Sequence, residues 1–196
     1  MTRTHLLLSS GAALLIATAC AQTPPPPPPA APAAPAMSQV DRGKYIVSTA
    51  GCHDCHTPWK MGPNGPEPDM DRALSGHPES IKITAPAKLP KGIMAGTNET
   101  FTAWHGPWGV SFTANLTPDQ NTGLGIWTED MFLAAIKNGK HMGKSRQILP
   151  PMPWMYYGQL KDDDLKAMFA YLKSLPAISN RVPVPLGPDG KPIEAP

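Results

Sequence analysis

Apolar residues recur at helical spacing in three separate stretches, and the chain between them keeps no sustained period. Ser38 can cap the first, over residues 39–50, where Val40, Gly43, Tyr45 and Ile46 are available for packing. Thr128 can cap the second, over residues 129–138. Acids occupy its first turn, Phe132, Ala135 and Ile136 form its apolar face, and Gly139 offers a left-handed end. The third runs over residues 160–174, with Asp162, Asp163 and Asp164 in the first turn and Lys173 in the last. Leu165, Met168, Phe169 and Leu172 make its stripe, Tyr171 lies beside it, and Pro176 ends it. Residues 57–109 are dense in Gly and Pro and show neither period 2 nor period 3.6, which predicts loop with short turns. The pattern predicts an all-α domain of three to five helices with a long Gly/Pro-rich loop insertion.

Composition separates the ends from the middle. Pro makes up 26 of 196 residues, concentrated at both termini, and such segments bury too little apolar surface to offset their ordering entropy. One domain is therefore expected over residues 38–182, with a Pro-rich tether at 20–37 and a Pro-rich tail at 183–196. Residues 1–19 read as a secretory signal: Arg3 starts it, residues 6–18 form a short apolar core, and Ala17-Thr18-Ala19 precede a cut. That run is short for a membrane span.

Leu14-Leu15-Ile16-Ala17-Thr18-Ala19-Cys20 resembles a bacterial lipoprotein box, with Ala17 where Leu is commonest. The resemblance implies that Cys20 is the lipidated first residue of the mature chain. Ordinary cleavage after Ala19 or Ala21, with Cys20 incidental, is the alternative. Six consecutive prolines at positions 24–29, then Ala/Pro alternation, favour stiff polyproline II. About 17 such residues at roughly 3.1 Å each would hold a domain ~50 Å from its anchor.

Charge narrows the partners. The formal net charge is +2, and removal of residues 1–19 takes away only Arg3, leaving 16 basic against 15 acidic residues. There is no basic stripe, so nucleic-acid binding has no electrostatic footprint.

The chemistry centres on Cys52-His53-Asp54-Cys55-His56. Cys-x-x-Cys-His is the attachment site for a c-type haem. Residues at i, i+3 and i+4 share one helical face, so both thiols can bond the haem vinyl groups while the His56 imidazole reaches the iron. Three alternatives compete. A thioredoxin-like pair needs a neighbouring βαβ pattern, which is missing. A zinc site needs a second ligand pair, and the only other cysteine is Cys20. A disulfide across two residues closes a tiny loop and stabilises little. The chain offers one such motif, hence one covalent haem.

The arrangement resembles class I cytochromes c, in which an N-terminal helix runs into the haem motif and crosses a C-terminal helix near a glycine and aromatics. Gly43 and Tyr45 would occupy that crossing. The segment from Asn115-Leu116-Thr117-Pro118-Asp119 to Thr122-Gly123-Leu124-Gly125-Ile126-Trp127-Thr128 is similar to one in cytochrome c modules of bacterial membrane-bound alcohol-dehydrogenase complexes. A calcium loop started at Asp119 would need Gly at its sixth position and Glu at its twelfth, where Leu124 and Asp130 stand. An Asx-turn is expected instead. The resemblance also implies a Gly-Pro whose carbonyl accepts the proximal imidazole N–H, with Gly62-Pro63 as the candidate. Leu74, Ile81, Ile83, Leu89, Ile93, Phe101, Trp104, Trp108 and Phe112 are candidate haem walls.

The second axial ligand expected is Met152, locked between Pro151 and Pro153 and matching the family's methionine by position. A neutral thioether favours ferrous iron. Met155 is its nearest rival, and His77, His105 and His141 are the histidine alternatives. Together these readings imply an exported, periplasmic one-electron carrier tethered to the membrane through Cys20. It would shuttle electrons between redox proteins such as a dehydrogenase, an oxidase or another cytochrome. A peroxidase-like or ligand-sensing haem protein, and a fixed subunit of a dehydrogenase or oxidase complex, are the alternatives.

Overall fold

The first and last helices cross, and the core forms where they meet. A computed structural model describes residues 36–193; the expected signal segment, Cys20 and almost all of the Pro-rich tether lie outside the described residues. Helix α1 (Gln39–Thr49) starts at Ser38, whose hydroxyl accepts from the Asp41 amide at 3.1 Å. It packs along a later helix (Asp162–Ser174). A Cβ at Gly43 would lie 1.9 Å from the Ala167 carbonyl oxygen and 2.8 Å from the Tyr171 Cβ, so only glycine permits this approach. Tyr45 does not share the contact and is 63% exposed. Helical geometry explains the correction: Gly43 and Val47 are four residues apart on one face, whereas a residue two positions from Gly43 points away. Val47 is fully buried and takes the place expected for Tyr45.

Gly51, at φ 71°, turns the chain out of α1 and into α2 (Cys52–His56). A left-handed residue at this point carries little cost only as glycine. Helix α3 (Glu129–Asn138) has Thr128 as N-cap, accepting from the Met131 amide at 3.2 Å, and Gly139 at φ 64° as its end. It buries Phe132, Ala135 and Ile136. The third predicted stretch forms α5 (Asp162–Ser174), and a short α4 (Trp154–Tyr157), which the periodicity does not predict, precedes it. The core joins Val47, Leu74, Leu124, Phe132, Ile136, Leu165, Met168, Phe169 and Leu172.

The expected all-α class is overturned by two small antiparallel sheets. Strands β1 (Trp59–Gly62) and β2 (Gly65–Pro68) form a hairpin. Strands β3 (Gly96–Thr97), β4 (Ala103–Gly106) and β5 (Gly109–Phe112) form a three-stranded sheet in that order. The domain mixes helix and strand. These strands are two to four residues long and rich in Gly and Pro, too short for a period of 2 to show. Strand β5 is buried at all four positions, so it does not alternate at all.

The sheet builds a second core from Ala103, Val110, Phe112 and Leu186. Leu186 and Val110 exchange backbone hydrogen bonds of 2.9 and 2.8 Å, so the chain after α5 returns across the domain. Gly109, at φ 101°, allows this: a Cβ there would sit 2.0 Å from the Leu186 carbonyl oxygen. No helix among the described residues is long and apolar enough to cross a membrane.

Gly43→Val is expected to cost about 2–3 kcal/mol or more, because α1 and α5 must separate. Tyr45→Ala is expected to stay within ~0.5 kcal/mol. Chemical denaturation of both variants checks the pair.

Candidate cofactor site

Helix α2 presents Cys52, Cys55 and His56 to a cavity of about 330 Å³. The opposing walls come from residues 111–116, 121–127, α3, the 146–153 loop and residues 181–185. Cys52 and Cys55 stand as free thiols. Burial, with the Asp54 carboxylate adding to it, pushes the Cys52 thiol up to about 11. Burial and then Asp54 push Cys55 up as well.

His56 is fixed by one bond. Its Nδ1 lies 2.8 Å from the Ala114 carbonyl oxygen. A carbonyl can only accept, so Nδ1 carries the proton and Nε2 keeps a free lone pair. Burial pulls the imidazole below its ordinary range, with the Ala114 bond opposing and His53 adding. This corrects the expectation for Gly62-Pro63, which sits at the end and turn of the β1–β2 hairpin instead.

The Ala114 carbonyl arrives through backbone pairing. The Gly76 amide donates to the His56 carbonyl at 2.8 Å, His77 to Thr113 at 2.9 Å and Leu116 to Leu74 at 2.8 Å. Residues 74–77 therefore lie between α2 and residues 113–116. At Gly76, φ 77°, a Cβ would come within 2.5–2.7 Å of the Thr113 and Ala114 backbones. That glycine is the sequence trace of the contact.

Met152 lines the same cavity, and Met155 is 49% exposed and does not. Ser111 donates to the Pro150 carbonyl at 2.6 Å, which ties the Met152 loop to β5. The Tyr157 hydroxyl donates to the Ala50 carbonyl at 2.7 Å, which ties α4 to the start of the haem motif. Met168, on α5, also reaches the cavity and was not anticipated there. Of the three histidine alternatives, only His141 lines it. His77 is fully buried elsewhere, with Nε2 donating to the Ile81 carbonyl at 3.1 Å and Nδ1 accepting from Thr102 at 2.9 Å. His105 Nδ1 accepts from the Ala87 amide at 3.0 Å.

The walls differ from those expected. Of the nine apolar candidates, only Phe112 lines the cavity; Leu74 enters the helical core and Ile93 is 53% exposed. The apolar lining comes from Leu116, Leu124, Phe132, Ile136, Met168 and Leu172. The loop carrying Leu124 is held from within. The Asp119 carboxylate accepts from the Asn121 and Thr122 amides at 3.1 and 2.8 Å and from the Thr122 hydroxyl at 2.6 Å, forming the expected Asx-turn. The Lys173 ammonium donates to the Leu124 and Gly125 carbonyls at 3.1 and 2.6 Å.

No protein-family model matches the chain. It is 26% identical over 141 residues to the fructose dehydrogenase cytochrome subunit of Gluconobacter japonicus, covering 72% of this chain and 22% of that protein. It is 27% identical over 132 residues to the cytochrome c subunit of the quinone alcohol dehydrogenase of Gluconobacter oxydans (strain 621H), covering 67% and 20%. The corresponding Gluconacetobacter polyoxogenes subunit is 30% identical over 152 residues, covering 75% and 26%. This chain carries a cytochrome c module similar to those of alcohol-dehydrogenase cytochrome subunits. It spans between a fifth and about a quarter of the length of these relatives.

The module's cavity suits the cofactor such relatives imply, haem c. Two free thiols and a ring nitrogen with an open lone pair face an apolar space. The Thr113 hydroxyl, on the cavity wall, is buried with no hydrogen-bond partner among the described residues. A buried polar atom of this kind calls for a polar group on the occupant.

Residues 181–185 close part of the wall, and Asn180 pins the chain that leads into them. Its side-chain amide donates to the Ser75 and His77 carbonyls at 2.7 and 2.9 Å, and its oxygen accepts from the Glu79 amide at 2.9 Å. Asn180→Ala is expected to cost about 3 kcal/mol, because it strands buried backbone groups. Hydrogen exchange at the Glu79 and Leu186 amides should rise in that variant.

Proposed function

We propose that the module transfers single electrons through one haem c, attached by thioethers to Cys52 and Cys55 and ligated by His56 Nε2 and Met152 Sδ. The observation that carries this reading is the convergence of both thiols, the bare Nε2 and the Met152 loop on one apolar cavity. When bound, haem iron supplies the ferric/ferrous couple, and the protein tunes it. The chain's own part is positional. Ala114 holds the proton on Nδ1 and orients the ring, and Pro151 and Pro153 stiffen the backbone that offers the sulfur. The apolar wall keeps water from the metal site, and a neutral thioether favours the ferrous state.

The electron donor is a dehydrogenase, which the likeness to cytochrome subunits of fructose and alcohol dehydrogenases supports, and a second redox protein accepts. The same likeness to dehydrogenase subunits also favours a second arrangement, a fixed electron-transfer subunit within a dehydrogenase complex. The chain is proposed to act in the periplasm, exported by residues 1–19 and anchored through acylated Cys20, with residues 20–37 as tether.

Acid–acetone extraction of purified protein is expected to leave the colour with the polypeptide, one haem per chain. Free extraction of the haem, or two haems per chain, would contradict the reading. Replacing Cys52 and Cys55 together with Ala should abolish retention.

Cys20→Ser is expected to move the protein from the membrane fraction to the soluble periplasm. An unmodified mature chain by intact mass would overturn the anchor.

A further inference from the structure

Two arginines, Arg146 and Arg181, line the cavity, and among the described residues no Asp or Glu does. The two arginines differ in their surroundings. Arg181 is exposed and lies near acids: the Thr122 hydroxyl bond chiefly, with the Arg181 charge adding last, holds the Asp119 carboxyl below the usual carboxylate range, and the Arg181 backbone amide donates to Glu79 at 2.9 Å. Arg146 is half-buried, and among the described residues its guanidinium makes neither an ion pair nor a hydrogen bond. By contrast Arg42 pairs with Asp164 and Arg72 with Asp69. Burial alone pulls Arg146 below the ordinary guanidinium range, as expected for a partly desolvated cation.

The loop that carries Arg146 is firmly placed. The His141 amide donates to the Arg146 carbonyl at 2.9 Å, and the Ile148 amide donates to Gly139 at 2.7 Å, so the turn is fastened to the end of α3. A cation held at an apolar cavity with no counter-charge is costly unless the occupant supplies one. Haem carries two propionates, and a guanidinium matches a carboxylate with two parallel hydrogen bonds.

We propose that Arg146 is a cofactor-binding residue that pairs with a haem propionate and raises the reduction potential; this rests on the haem reading above. The pairing supplies the anion that the protein leaves out of the cavity wall. It also places a positive charge near the iron, which favours the ferrous form over the more positive ferric form.

The test uses full-length holoprotein and its Arg146→Gln and Arg146→Lys variants. Haem content, midpoint potential and the propionate bending band in resonance Raman are read for each. Arg146→Gln is expected to keep its covalent haem, lower the midpoint potential and shift the propionate band. Arg146→Lys should recover most of the potential, because the charge returns, while the band still moves with the loss of the planar fork. An unchanged potential and band in Arg146→Gln overturns the proposal. So does a loss of stability with both signals unmoved, which marks a purely structural residue. If Arg146→Gln does not accumulate, the band in Arg146→Lys decides, and an unchanged band overturns the proposal. If the unmutated protein holds no covalent haem, the haem reading fails first and the proposal falls with it.

Discussion

The bond from His56 Nδ1 to the Ala114 carbonyl is the constraint around which the site is built. It fixes the tautomer of the imidazole, and with it the direction of the free lone pair. It also fastens the helical motif to the chain that leaves β5, 58 residues later. The approach depends on Gly76 and on the pairing of residues 74–77 with both sides. A side chain at Gly76 would push Ala114 away, and the ring would lose its orientation without any change at His56 itself. The site is therefore only as well placed as a backbone contact that no side-chain motif announces.

Around that bond the domain works as two cores that share a wall. The helical core, anchored by the close crossing at Gly43, supplies the apolar lining through α3 and α5. The sheet core places β5 and receives the returning chain at Leu186. Both meet at the cavity: Ser111 of β5 holds the loop before Met152, and Lys173 of α5 holds the loop before Trp127. Polar side chains here act mainly on backbone carbonyls, which spares the apolar space and fixes the loops that line it.

Legibility followed the range of the interactions. Caps and helices were readable at Ser38, Thr128 and Gly139, because a cap and a stripe lie within a dozen residues of one another. The Asx-turn at Asp119 was readable for the same reason. Strands of two to four residues were not, and the all-α expectation failed on them. Tyr45 was misplaced because the aromatic type outweighed its position on the helical wheel. Ala114 left no signal, since any residue offers a carbonyl. Arg146 was legible only as one charge among many until the cavity showed it without a partner.

One haem held between His56 and Met152 is the arrangement we propose. Proton NMR of the reduced holoprotein tests it most directly, through the strongly shifted methyl signal of an iron-bound methionine. The signal is expected in the unmutated protein, in Met155→Ala and in Met168→Ala, and is expected to vanish in Met152→Ala. Its survival in Met152→Ala, or its absence from the unmutated protein, would contradict the account.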